Sequence, residues 1–354
     1  MVTIAVVGAA GVVAQASLPL LEPFADRLIG LDAREPARWR RRSDVHQIDL
    51  AHGDAKPLLE GVDVLIDLGG ISDPVPDTAL MTRVNIEGTT RLLDAAGAVG
   101  VRKIIRLSNV SVYGAWPNSP VPLNEDEPMR PVPGFVPATH AAEVERRLIE
   151  WRDAHPGTVV TVLRTALVGG PGVDHLAARL VAGVPPLVVR GADPKVQSVH
   201  LDDVARAVAL AVERDLDGVY NVAADGWTAA NEVRAMSAMR FRLALPQELA
   251  ARVLDRVWPT GLVDLPPSGL PYLVNPPVVA NDRLRGAGWS PQVSNRDAIA
   301  AAIAAEAPLV RQSARAALGA LVAGVVATTV LAVAATWSIK RWRGARRSNR
   351  STRA

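Results

Sequence analysis

The 354 residues are enough to bury a large core and to divide into more than one domain. There is no cysteine, which excludes disulfides and thiolate metal sites, and the six histidines show no H-x-x-x-H or H-E-x-x-H spacing. The net charge of +3 hides a split: residues 1–306 carry 30 basic and 36 acidic residues, a net of −6, whereas the nine basic residues after Glu306 have no acid among them. An acidic body with a basic tail is unlike a nucleic-acid-binding domain.

The chain opens on a short apolar strand, Val2 to Val7, that runs into Gly8-Ala9-Ala10-Gly11-Val12-Val13-Ala14, with apolar residues following at Leu18, Leu20 and Leu21. This start is too short and lacks the basic region of a signal peptide. A glycine turn between a buried strand and a helix lets the backbone approach a pyrophosphate, which then rests on the positive helix N-terminus. Gly8 suits the tight turn, Gly11 the close approach, and Ala14 the small residue at the helix–strand contact. About twenty residues on, Leu28 to Leu31 reads as a second strand ending at Asp32. A carboxylate there accepts the hydroxyls of an adenosine ribose and repels a 2′-phosphate. Arg34 could welcome that phosphate, but the acid favours NAD over NADP.

Val62 to Leu68 is a third clear buried strand, ended by Gly69-Gly70, and Val84 to Val99 reads as a helix. Next come a strand from Arg102 to Leu107, a Pro-rich loop from Trp116 to Pro137, a helix from about Thr139 to His155 and a strand from Val159 to Arg164. Gly169-Gly170-Pro171-Gly172 breaks the pattern. His200 to Ala205 reads as a strand end and helix cap, with Asp202 and Asp203 as an N-cap pair rather than catalytic carboxylates. Gly218 to Val222 is a late strand. This alternation predicts an α/β fold, a doubly wound parallel sheet with helices on both faces.

Together these residues resemble the extended short-chain dehydrogenase/reductase family of NAD-dependent epimerases and dehydratases, over roughly residues 1–305. The resemblance rests on Gly8-x-x-Gly11-x-x-Ala14, Asp32, Asp49, Leu68-Gly69-Gly70, Asn85-x-x-Gly88-Thr89 and the run from Ser108 to Gly114. Leu163-Arg164, the Gly169 to Gly172 break, His200 to Ala205, Val278 to Asn281 and Gly288-Trp289-Ser290-Pro291 add to it. It implies a Rossmann domain over residues 1–170 and a smaller interleaved substrate lobe over 171–305, with 199–223 returning to the sheet. It also implies that Asp49, Leu68, Gly69, Gly70, Ser108 and His140 border the cofactor, beside the glycine turn and Asp32.

The chemistry departs from the family. Its members move a hydride with a Tyr whose phenol is tuned by a Lys four residues on, helped by a Ser or Thr. In register, Val136 takes the Tyr position, His140 the Lys position and Asn109 that of the Ser or Thr. His140 can titrate near neutrality as an acid or base, or simply bond a ribose or cap a helix. Asn109 can bond a substrate carbonyl or close a turn, and Tyr113 belongs to the structural end of its strand. Two functions follow: a sugar-nucleotide or lipid-linked-substrate oxidoreductase or isomerase with degenerate catalytic residues, or a non-catalytic dinucleotide-sensing or scaffold protein.

After a linker over 306–315, residues 316–339 form a stretch of 24 without a charge, bracketed by Arg315 and Lys340. Its nine Leu, Ile and Val residues favour insertion by roughly −3 to −5 kcal/mol, and its length suits a bilayer crossing. A membrane-spanning or membrane-embedded helix is expected there, followed by a basic tail over 340–354 suited to anionic lipid. The nucleotide-binding domain is expected in the cytoplasm. The expected partners are a small-molecule substrate, membrane lipid and a second copy of the chain, but no nucleic acid.

Overall fold

Apolar residues placed on both sides of successive short strands demand a sheet covered on both faces, and this is what the chain builds. The computed structural model describes residues 1–41, 44–237 and 242–306. Six strands, β1 (Thr3–Val7), β2 (Arg27–Asp32), β3 (Val45–Gln47), β4 (Val64–Asp67), β5 (Lys103–Asn109) and β6 (Val159–Thr165), are joined by a later one, β11 (Gly218–Val222). They form one parallel sheet in the order β11-β6-β5-β4-β1-β2-β3. The winding reverses between β1 and β4, the place where open α/β sheets bind ligands.

The two-residue alternation along β1 assigns its faces. Ile4 and Val6 pack with Leu18 and Leu21 of α1 (Val12–Leu21) and with Val204 and Val208 of α6 (Leu201–Glu213). Ala5 and Val7 pack with Leu92 and Leu93 of α3 (Thr89–Val99) and Leu148 and Trp151 of α4 (Val136–Ala154).

Two helix boundaries differ from the sequence expectation. The helix expected from Val84 starts earlier, as α2 (Thr78–Thr82), and passes through a π-helical turn, Arg83–Gly88, before α3. The wide turn brings Gly88 against Leu50, where a Cβ would stand 3.2 Å from the Leu50 backbone oxygen. The helix expected from Thr139 begins at Val136, because Pro137 is well suited to a first helical turn.

The remaining strands are short: β7 (Leu167–Gly169), β8 (Leu187–Val189), β9 (Lys195–Val196), β10 (Ser198–His200), β12 (Thr228–Ala229) and β13 (Leu243–Leu245). With α5 (Leu176–Ala182), α8 (Gln247–Val257) and α9 (Leu270–Val274), β8 and β13 surround a separate apolar cluster that includes Phe135, Leu176, Val189, Leu254 and Leu270, while α7 (Ala230–Met236) packs against α5 and β9. The chain beyond Val278 leaves this cluster. Val279, Leu284 of α10 (Asp282–Gly286) and Trp289 join the core beneath the sheet. Helix α11 (Asn295–Ala305) lies so close to β7 that a Cβ at Gly169 would collide with the Ala298 carbonyl.

Asp202 and Asp203 do not form the N-cap pair expected of them. The cap of α6 is His200, whose Nδ1 accepts the Asp202 N–H at 3.2 Å. Asp203 is fully buried, and its carboxylate accepts the backbone N–H groups of Gln292 and Val293 at 2.8 and 3.1 Å, holding the Gly288 to Pro291 segment in place.

Among the described residues no helix is long and apolar enough to cross a membrane. The apolar segment 316–339 and the basic tail 340–354 lie outside them.

Candidate functional site: a dinucleotide cleft

A cleft of about 620 Å³ opens at the switch point between the ends of β1 and β4 and continues into the small lobe. Its size is that of a small-molecule site.

The cofactor end is backbone. Gly8 has φ +77° and donates its N–H to Leu31 O at 2.9 Å, and a Cβ there would stand 2.8 Å from the Leu68 carbonyl carbon. The Gly11 N–H closes the turn onto Gly8 O at 2.8 Å. Helix α1 then starts at Val12 with no side chain capping its N–H groups, and Gly11, Val12, Val13 and Ala14 line the cleft. Bare N–H groups at a helix start, reached through glycines, suit a pyrophosphate. Across the opening, Leu68, Gly69 and Gly70 line the wall. The loop after them is tied down by Asn85, which accepts the Ile71 N–H at 2.7 Å and donates to Ile71 O at 2.9 Å.

Asp32 stands at the edge of this turn. Its carboxylate accepts the N–H of Ala10 at 2.9 Å and that of Arg34 at 2.8 Å. It joins the tip of β2 to the glycine turn and retains lone pairs for further donors. Asp49 does not reach the cleft. It is 58% exposed, accepts the Ala51 N–H at 2.9 Å and pairs with His52 Nδ1 at 3.0 Å. Those local bonds hold its carboxyl below the usual range.

The α4 side of the cleft carries no phenol and no ammonium, since Val136–Ala154 contains neither Tyr nor Lys. Helix α4 turns Pro137, His140, Ala141 and Val144 into the cleft, while Val136 is not part of the lining. Two pairs four residues apart therefore face the cleft, Pro137 with Ala141 and His140 with Val144, whereas Val136 of the expected Val136/His140 pair does not. Neither Pro137 nor Ala141 exchanges a proton. His140 flanks them with its Nε2 3.4 Å from Thr82 Oγ1 and its Nδ1 buried without a partner. Burial lowers its pKa below the usual imidazole value, opposed by the charge of Glu143, so the ring is neutral at pH 7.

Ser108 and Asn109 both line the cleft. Asn109 closes a turn, accepting the Ser111 N–H at 3.0 Å. The Ser108 hydroxyl donates to Glu145, which is fully buried. Glu145 also accepts Arg164 Nε and Nη2 at 2.9 and 2.7 Å. Arg164 Nη1 donates to the Tyr113 hydroxyl at 2.8 Å, and Tyr113 donates to Asn221 at 2.9 Å. Tyr113 is thus a buried strut between β5, β6 and β11, and desolvation raises its pKa.

The phenol that does line the cleft is Tyr272, which sequence reasoning passed over. It donates to Ser111 O at 2.8 Å and accepts the Val132 N–H at 3.2 Å, and burial pushes its pKa up to about 12. His175 is likewise committed, with Nε2 on Val168 O at 3.0 Å and Nδ1 accepting the Ala178 N–H at 3.1 Å. Among the described residues no cluster of potential ligands could hold a metal.

The comparisons agree with this geometry. The model of the NAD dependent epimerase/dehydratase family matches residues 4–223. A 3-diazoavenalumate denitrifying reductase of a Streptomyces species is 30% identical over 228 residues, covering 62% of this chain and 70% of that protein. An uncharacterized protein of Mycobacterium tuberculosis is 30% identical over 216 residues, 58% of this chain and 57% of that one. Among solved structures, the UDP-glucose 4-epimerase of Thermus thermophilus in complex with NAD superposes with a TM-score of 0.66 at 22% identity, over 86% of this chain and 98% of the epimerase. The chain belongs to the NAD dependent epimerase/dehydratase family, whose cofactor is NAD.

Proposed function

We propose that the chain is an NAD-dependent oxidoreductase that acts on a small organic substrate without a Tyr–Lys proton relay. One observation carries this reading. The cleft runs unbroken from the glycine turn to the small lobe, and the helix face beside the reacting region is Pro137, Ala141 and Val144, flanked by His140.

Bound NAD supplies a hydride donor or acceptor. The chain supplies the rest: N–H groups of α1 for the pyrophosphate, Asp32 at the edge for the ribose, and an apolar wall on α4 that excludes water. No residue of that wall gives a proton to an alkoxide. His140, half-buried with its Nε2 at the Thr82 hydroxyl, takes no part in the proton transfer. This favours substrates whose reduction needs no proton, that is, cationic acceptors that the hydride neutralises. The epimerases that this chain resembles in fold have UDP-sugars as their named substrates, and the Streptomyces relative is named for a diazo compound. We also propose that residues 316–339 hold the protein at a membrane with the cleft on the cytoplasmic side, from their charge-free length and basic flank.

The test is NADH consumption by the full chain against a panel of iminium and diazonium acceptors beside ketones and UDP-4-keto sugars. Turnover is expected with acceptors of the first kind, and about 10²-fold or more slower with ketones, the usual size of a missing acid. Equal rates on both kinds would contradict the reading. NAD binding with no turnover on any acceptor would establish the non-catalytic alternative instead.

A further inference from the structure

The arginines bordering the cleft fall into two classes. Arg34 faces Asp32 at 3.9 Å, and Arg106 is paired with Asp67. Arg234, on α7, and Arg242, which leads into β13, also line the cleft, yet among the described residues neither has a carboxylate or hydrogen-bond partner. Nη2 of Arg242 is buried and unsatisfied. Desolvation, with the Arg234 charge beside it, lowers the Arg242 pKa from its ordinary value. Two like charges held together at the edge of an apolar cavity form a field that only an anion relieves.

The walls around them are Leu180, Val181, Leu187, Val189, Val233 and Leu273. The polar side chains nearby that could serve a sugar hydroxyl are already engaged. Gln197 bonds Ala224 O, Val279 O and the Val279 N–H, and Tyr272 and His175 are committed as described above. A polyol would find few partners here, whereas an apolar body would find many.

We infer that Arg234 and Arg242 form an anion clamp at the lobe end of the cleft, which takes a substrate with one carboxylate or phosphate head on a predominantly apolar body. This rests on the NAD-dependent reading and names the substrate class of the same site. Two guanidiniums fit such a head through charge-assisted, bidentate hydrogen bonds. The apolar body then extends along the β8 wall towards Val144 and Ala141 of α4.

The experiment is calorimetric titration of the NAD-loaded full chain with trans-cinnamate, phenyl phosphate, neutral cinnamyl alcohol and UDP-glucose. At least one of the two aryl anions should bind, at least about tenfold tighter than the alcohol and tighter than UDP-glucose. Arg234→Ala and Arg242→Ala should each weaken that anion by about 10- to 100-fold, the scale of a lost hydrogen bond to a charged group, while binding of NAD and of the alcohol stays unchanged. Arg242→Lys should keep part of the affinity, which separates a lost charge from a lost fold. Equal binding of acid and alcohol, anion affinity indifferent to both arginines, or UDP-glucose as the tightest ligand would each overturn the clamp. Failure of NAD itself to bind would overturn the underlying reading instead, and the two failures are read in separate titrations.

Discussion

His140 shows how one side chain is decided by its surroundings. Its position on α4 invites a catalytic role, but burial lowers its pKa and, among the described residues, its ring's hydrogen-bond contact is the Thr82 hydroxyl at 3.4 Å. A histidine whose folded pKa lies below its unfolded value binds fewer protons folded than unfolded, so stability falls as pH drops through about 6.5. The expected NMR titration midpoint of His140 therefore lies below 6.5, and His140→Ala should lessen the loss of stability on the acid side while leaving turnover near the wild-type rate. A midpoint above 7, or turnover abolished by that substitution, would make His140 the proton donor that this account denies. The glycine turn was legible in the sequence because Gly8 and Gly11 answer steric demands of the backbone. Which α4 residues face the cleft was not, since each step along a helix turns the side chain by about 100° and no periodicity in Val136 to Ala142 marks the facing side.

At the scale of elements, α4 is fixed to the sheet through Glu145. Its carboxylate takes the hydroxyl of Ser108 on β5 and the guanidinium of Arg164 on β6, all three buried. Removing one member strands a buried charge, so Glu145→Ala should cost about 3–5 kcal/mol in urea unfolding. The double variant Glu145→Leu with Arg164→Met should be markedly less destabilised than the sum of its single changes. Strict additivity would show that the pair does not couple α4 to β6. The strands were readable from their apolar runs, and β3 escaped because Val45–Gln47 is short and half polar. The lobe was harder to read. Its cluster joins Phe135, Val189 and Leu270 from distant stretches, and nothing local in any of them announces the others. The fate of residues 278–306, which turn back to the sheet core, depends on the buried Asp203 and on the close approach of Gly169 to α11.

At the scale of the whole molecule, the folded body and the charge-free segment 316–339 make separate claims. If the segment anchors the protein, the full chain should stay with membranes through alkaline carbonate extraction, while a chain ending at Pro308 is released. Equal release of both would remove the anchor from the account. The central claim concerns the cleft: a family fold that keeps its dinucleotide site and has replaced its proton relay. The most direct measurement is calorimetric titration of the full chain with NAD and with NADP, in the wild type and in Asp32→Ala. The account predicts that NAD binds more tightly than NADP and that Asp32→Ala erases most of that preference. No binding of either nucleotide, or tighter binding of NADP by the wild type, would contradict it.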